Sequence, residues 1–180
     1  MRIYSIVKES IVDGPGLRTA IFFQGCTHGC PGCHNPESHD FNGGEEYSLE
    51  ELIKIIDDDK LSTGVTFSGG DPLDQFRSSH CGLDLILLAS AVRARGLNLG
   101  MYTGYTIDQM YDLIHSPLHS QLFAHLNWVV TEPFIESKKS IECAFRGSTN
   151  QQVYRPEFAH SPDDSPRFVN ITDYWDTSIF

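Results

Sequence analysis

Two periodicities alternate along the chain. Arg18 to Gln24 passes through Ile21, Phe22 and Phe23 without a polar break, the pattern of a buried strand, and runs directly into Gly25. Tyr47 to Asp58 switches to helical spacing, with Leu49, Leu52, Ile53 and Ile56 on one face. Ser48 and Glu51 stand at capping-box separation ahead of it, and Tyr47 can staple to Leu52. Gly64 to Phe67 predicts a short strand ending in Ser68-Gly69-Gly70-Asp71-Pro72, and Leu83 to Arg95 an apolar-rich helix closed by Arg93, Arg95 and Gly96. Leu97 to Tyr102 is the next strand, turned by Thr103-Gly104-Tyr105; Thr106 with Gln109 then caps a helix over Ile107 to Ile114. Asn127 to Val130 is a further strand entering Thr131-Glu132-Pro133, and beyond Val153 the pattern fades.

Strands alternating with helices predict an α/β fold with parallel strands and right-handed crossovers, either an open sheet or a partial (β/α) barrel. The Gly-rich and polar turns all follow the carboxyl ends of predicted strands, the edge where such folds bind ligands. With 180 residues, one domain is expected over residues 1–153. Residues 154–180 form a tail that is not a separate domain, and from Ser161 onward it is expected to be loosely packed or to add a small appendage.

Charge narrows the partners. The net charge is -11, from 24 acidic and 13 basic residues, and no dense Lys/Arg block is present to neutralise phosphates, so nucleic acid is not expected. The longest apolar runs, such as Leu85 to Ala89, fall far short of the roughly 18 residues of a membrane span. Met1 to Lys8 lacks the apolar core of a secretory signal, so a cytoplasmic protein is expected.

The five cysteines are an odd number, and Cys26, Cys30 and Cys33 share one short loop, which suits reduced thiolates on a metal better than a disulfide framework. A C-x3-C-x2-C spacing wraps three sulfurs around one centre. Zinc would take a fourth ligand, with His28 or His34 in reach, and gives a zinc-stabilised module without catalysis. A [4Fe–4S] cluster held by three cysteines instead leaves one iron open to a substrate. Cys81 and Cys143 stand outside any ligand spacing and fit ordinary core or surface positions; the alternative is that one of them is a distant fourth ligand, which would close the site.

Taken together, DGPGLR at Asp13 to Arg18, GCTHGCPGCHNPES at Gly25 to Ser38, SGGDPL at Ser68 to Leu73, YTGY at Tyr102 to Tyr105 and RGSTNQ at Arg146 to Gln151 resemble the radical S-adenosylmethionine enzymes that install glycyl radicals. The resemblance is nearest to the subgroup acting on the anaerobic ribonucleoside-triphosphate reductase and covers roughly Ile11 to Val153. It implies a partial (β/α) barrel with outer helices, and a [4Fe–4S] cluster on Cys26, Cys30 and Cys33 whose fourth iron is chelated by S-adenosylmethionine. It further implies reductive cleavage to a 5'-deoxyadenosyl radical that takes hydrogen from a glycine of the reductase, with a flavodoxin-type electron donor. Gly69 and Gly70 are expected to let the backbone approach the methionine end of the cofactor, with Ser68 and Asp71 adding polar contacts. Relatives often place an aromatic residue before the last cysteine; this chain has Gly32, so backbone near Gly32 and His34 would meet adenine, although His34 equally fits a solvated loop histidine. Asp13 would help receive the partner's glycine segment, and Pro15-Gly16 beside it also fits a plain type II turn. Tyr105 fits a staple to Met110; Arg146 and Asn150 receive no role. Thr131-Glu132 stands where the family usually shows Asp-Gly. An activase of pyruvate formate-lyase or a similar glycyl radical enzyme is the neighbouring alternative.

Overall fold

A computed structural model of the chain describes residues 1–158 and 165–178. Among the described residues, eight strands form a single mixed sheet: β1 (Arg2–Ser10), β2 (Arg18–Phe23), β3 (Glu45–Glu46), β4 (Gly64–Gly69), β5 (Asn98–Tyr102), β6 (Trp128–Thr131), β7 (Gln152–Glu157) and β8 (Arg167–Asn170), in the order β3-β1-β2-β4-β5-β6-β7-β8. The central four, β2, β4, β5 and β6, are parallel. The strands expected to be parallel are so, and the flanking strands β1, β3, β7 and β8, which the sequence pattern does not predict, pair antiparallel and make the sheet mixed. For β1 and β2 the cause lies in the connection: the short Ile11–Leu17 loop cannot make the crossover of a dozen or more residues that parallel pairing needs.

The helices are α1 (Leu49–Asp58), α2 (Ser79–Ala94), α3 (Ile107–Leu113), α4 (Pro117–His125) and α5 (Thr172–Ser178). α1 begins with the reciprocal Ser48–Glu51 capping box and α3 with the Thr106–Gln109 box, each satisfying amides that the first turn leaves without partners. α4, opened by Pro117 at its first position, was not among the expected elements. No described helix is long and apolar enough to cross a membrane.

Alternation along the strands divides the core between the two faces of the sheet. Ile21, Phe23, Val65, Phe67, Leu99, Met101 and Val129 point to one face, where Leu52 and Ile56 of α1, Leu85 and Leu88 of α2, Met110 of α3 and Leu122 and Phe123 of α4 bury them. On the opposite face Trp128, Val130 and Val153 pack with Trp175 of α5. The boundary expected at Val153 thus falls inside β7, and the segment beyond it contributes buried Phe168 and Trp175. Residues 161–164 lie outside the described residues. Near the start of β2, buried Asp59 accepts hydrogen bonds from Thr19 Oγ1 (2.7 Å), Ser62 Oγ (2.6 Å) and the Glu9 amide (3.3 Å), tying β1 and β2 to the end of α1.

Candidate active site

Beside the Trp128–Trp175 cluster, the face without the four core helices is hollow. A cavity of about 610 Å³ is walled by Phe22 and Ser68 from β2 and β4, by Tyr102 from β5, by the cysteine loop and by the long 132–151 excursion between β6 and β7. That volume suits a small-molecule or cofactor site. Cys26, Cys30, Cys33, His34, Ser68, Gly69, Gly70 and Asp13 all line it. Gly32 and Asp71 do not.

The cysteine loop is seated on the SGGDP turn by backbone contact. The Gly70 amide donates to Phe23 O and the Asp71 amide to Gly25 O, both at 2.8 Å. A methyl group on Gly70 would stand 2.2 Å from Gly25 O, and one on Gly69, where φ is +104°, 2.4 Å from the Phe23 amide nitrogen. The glycine pair therefore serves the meeting of two backbones as well as lining the cavity.

Two carboxylates behind the cavity fix the residues between Cys26 and Cys30. Asp71, fully buried, accepts from Thr103 Oγ1 (2.9 Å), the Gly104 amide (2.8 Å) and the Leu73 amide (2.9 Å), and pairs with His28 Nε2 at 2.8 Å. Its oxygens are thus committed within the protein. The Asp71 hydrogen bond raises the His28 pKa, and the ring packs edge-on against Tyr105 at 5.0 Å. Asp74, 2% exposed, accepts from the Thr27 amide (2.7 Å), Thr27 Oγ1 (3.0 Å) and Tyr105 OH (3.2 Å). Sequence reasoning missed Thr27, Asp74 and this role of Tyr105; the only trace was a second Asp in SGGDPLD.

Burial, reinforced by the Asp71 and Asp74 charges, pushes the Cys26 thiol up to about 11, and burial likewise raises Cys30. Metal binding releases these protons, since the thiolate is the ligand. Among the described residues, the one group of His, Cys, Asp and Glu with ligand atoms all within 4.8 Å of one another is Cys26, His28 and Asp74. The cysteine trio is not gathered as tightly as a single zinc ion requires. A four-iron cluster seats each thiolate on a different iron and so takes more widely spaced sulfurs, which fits three half-buried thiols opening on a roomy cavity.

The remaining motifs divide between lining and bracing. Asp13 lines the cavity on the Ile11–Leu17 loop, where its carboxylate takes the Ser10 hydroxyl and its carbonyl takes Thr66 Oγ1 at 2.6 Å. Arg18 of DGPGLR is structural: 1% exposed, it donates to Thr66 Oγ1, Val65 O, Pro15 O and Asn98 O and lies 5.1 Å over the Trp128 ring. Burial lowers its pKa to about 10. The Trp128 ring in turn fills the place of a side chain at Gly100, where a methyl group would come within 1.9 Å of it. In RGSTNQ, Gln151 accepts from the Gly147 amide (2.8 Å) and donates to Glu132 O (3.2 Å), while Asn150 donates to Pro133 O (2.9 Å). This motif knots the two ends of the excursion together. Glu132 has φ +80°, a value that favours glycine, and its Oε1 accepts from the Ile107 amide at the start of α3.

Two further cavity residues escaped the sequence. Phe134, 5.4 Å from the His34 ring, supplies an aromatic wall near the last cysteine. Cys143 lines the cavity from the excursion, whereas Cys81 lies on α2 against the helix-covered core.

Comparison with known proteins agrees with this geometry. Residues 12–154 match the model of the 4Fe-4S single cluster domain. The anaerobic ribonucleoside-triphosphate reductase-activating protein of Salmonella typhi is 31% identical over 160 residues, 86% of this chain and 98% of the relative. The protein of the same name from Escherichia coli K12 is 29% identical over the same shares. The pyruvate formate-lyase-activating enzyme of Clostridium pasteurianum is 48% identical over 79 residues, 41% of this chain and 33% of that enzyme. With both the domain match and the near full-length likeness in hand, the chain belongs to the 4Fe-4S single-cluster family of anaerobic ribonucleoside-triphosphate reductase-activating proteins.

Proposed function

We propose that this chain activates the anaerobic ribonucleoside-triphosphate reductase, with Cys26, Cys30 and Cys33 holding a [4Fe–4S] cluster and leaving its fourth iron to S-adenosylmethionine. Bound together, these cofactors supply reductive cleavage of the sulfonium and removal of a hydrogen from a glycine of the reductase. The observation that carries the reading is that three half-buried thiols and the Ser68-Gly69-Gly70 turn open on one cavity.

The protein binds, orients and shields. Ser68, Gly69 and Gly70 offer backbone to the methionine end of the cofactor. His34 and Phe134 flank the last cysteine, where an adenine ring would lie. Asp71 acts from behind the cavity, holding His28 and so the loop that carries the thiols. Asp13, on the loop at the cavity wall, receives the glycine-bearing segment of the partner.

The same reading assigns the fold to the partial (β/α) barrel type. Support comes from four parallel central strands with α1 to α4 on one face and the cavity on the other. It treats residues 1–153 as the catalytic domain, takes a flavodoxin-type protein as electron donor, and places the chain in the cytoplasm, where thiolates stay reduced. The test is anaerobic incubation of the iron-loaded protein with S-adenosylmethionine, a reductant and the purified reductase. A glycyl radical doublet on the reductase in electron paramagnetic resonance is expected. Its absence there, with a doublet on pyruvate formate-lyase instead, would transfer the activity to that partner.

A further inference from the structure

Two groups crowd the first cysteine: Cys26 Sγ, a His28 ring nitrogen and an Asp74 carboxylate oxygen all lie within 4.8 Å of one another. Asp74 is 2% exposed, so water does little to screen it. Its partners are donors: the Thr27 amide, the Thr27 hydroxyl and the Tyr105 hydroxyl. Both of its oxygens therefore receive hydrogen bonds, Oδ2 from Thr27 and Oδ1 from Tyr105. Burial, followed by the charges of Asp74 and Asp71, pushes the Tyr105 phenol up to about 12, so it remains a donor at neutral pH. Asp71, the other carboxylate behind the loop, differs in being shared with the His28 ring and three further donors.

A fixed negative charge beside an iron–sulfur cluster opposes the arrival of an electron, and more strongly when both are out of water. We infer that Asp74 is a positioning residue with a redox consequence: its carboxylate, clamped by Thr27 and Tyr105 beside Cys26, lowers the reduction potential of the cluster and makes the reduced cluster a stronger donor toward the sulfonium. One electron enters the cluster from an external reductant and no bond within Asp74 changes. The inference rests on the cluster assignment above.

The test is a redox titration of the reconstituted full-length protein with dithionite, followed by the electron paramagnetic resonance signal of the reduced cluster. Asp74→Asn keeps the shape and an acceptor for Thr27 but removes the charge. Its midpoint is expected to rise by at least the equivalent of a tenfold change in the reduction equilibrium, about 59 mV for one electron. Thr27→Val removes one hydrogen bond and keeps the charge, and its midpoint should stay at the wild-type value. An unchanged midpoint in Asp74→Asn, or equal rises in both variants, would overturn the inference. Should Asp74→Asn take up no cluster, Asp74→Glu decides: a cluster of wild-type midpoint supports the role of charge, and an empty site overturns it. A wild-type protein that forms no four-iron cluster would overturn the functional reading and this inference with it.

Discussion

Along β4, Val65 and Phe67 turn toward the helices while Thr66 and Ser68 turn to the opposite face, Ser68 at the cavity wall; β5 repeats the division with Leu99 and Met101 against Gly100 and Tyr102, of which Tyr102 lines the cavity. One face of the sheet is close-packed aliphatic and aromatic material. The other places small, polar and aromatic residues around an open space, beside a smaller apolar cluster of Trp128, Val130, Val153 and Trp175. The period of two along a strand lets adjacent residues serve opposite demands, so stability and chemistry are separable by side-chain direction even within one strand.

The largest test of that separation concerns cysteine. Replacing Cys26, Cys30 or Cys33 by Ala should abolish reductive cleavage of S-adenosylmethionine, measured as methionine released, while Cys81→Ala on the helix face should leave it near the wild-type rate. Cleavage retained in any of the first three would defeat the ligand assignment.

The converse comes next. Phe67→Ala removes a fully buried ring that meets Phe23 edge-on at 5.3 Å. The expected cost is about 3–5 kcal/mol in denaturant unfolding, with iron content per folded molecule unchanged. Loss of iron at equal folded fraction would show that the two faces are not independent.

The smallest effect lies at the foot of the sheet, away from the cavity. Burial raises the pKa of Asp59, but hydrogen bonds from Ser62 and Thr19 outweigh it and the net shift is downward. A depressed folded value means that the stabilisation is present above the ordinary carboxylate range and is lost as pH falls through the folded pKa. Asp59→Asn should therefore flatten the acid limb of the stability curve below about pH 4 and leave iron binding unaltered. An unchanged acid limb would show that Asp59 contributes nothing through ionisation.

Local signals made much of this architecture legible. The Ser48–Glu51 and Thr106–Gln109 boxes mark helix starts within four residues of chain, and the four parallel strands announce themselves as apolar runs, three of them ending in glycine turns and β6 in Thr131-Glu132-Pro133. Pairing partners are a different matter. Nothing in Arg2–Ser10 states that it runs antiparallel to β2, and β7 and β8 depend on neighbours brought together by the fold. At the site, Cys26, Cys30, Cys33 and the Ser68–Gly70 turn were legible because spacing itself carries their chemistry. Phe134 and Cys143 were not, because each reaches the cavity from a segment whose own pattern is unremarkable, and Asp74, although it adjoins the SGGDPL motif, gains its role only from the fold that brings Thr27 and Tyr105 to it. Asp71 shows the limit from the other side: its motif was visible, but only the three-dimensional arrangement reveals that its oxygens point to His28, Thr103, Gly104 and Leu73.

The contact of Gly100 with Trp128 carries a consequence for how this sequence can drift. The indole occupies the room a side chain would need, and Arg18 rests on its far reach while holding Pro15. The bare hydrogen at residue 100 thus dictates the bulk tolerated at 128, and through it where the segment bearing Asp13 comes to lie. In any descendant of this chain the two positions can change only in concert, a larger residue at one demanding a smaller one at the other.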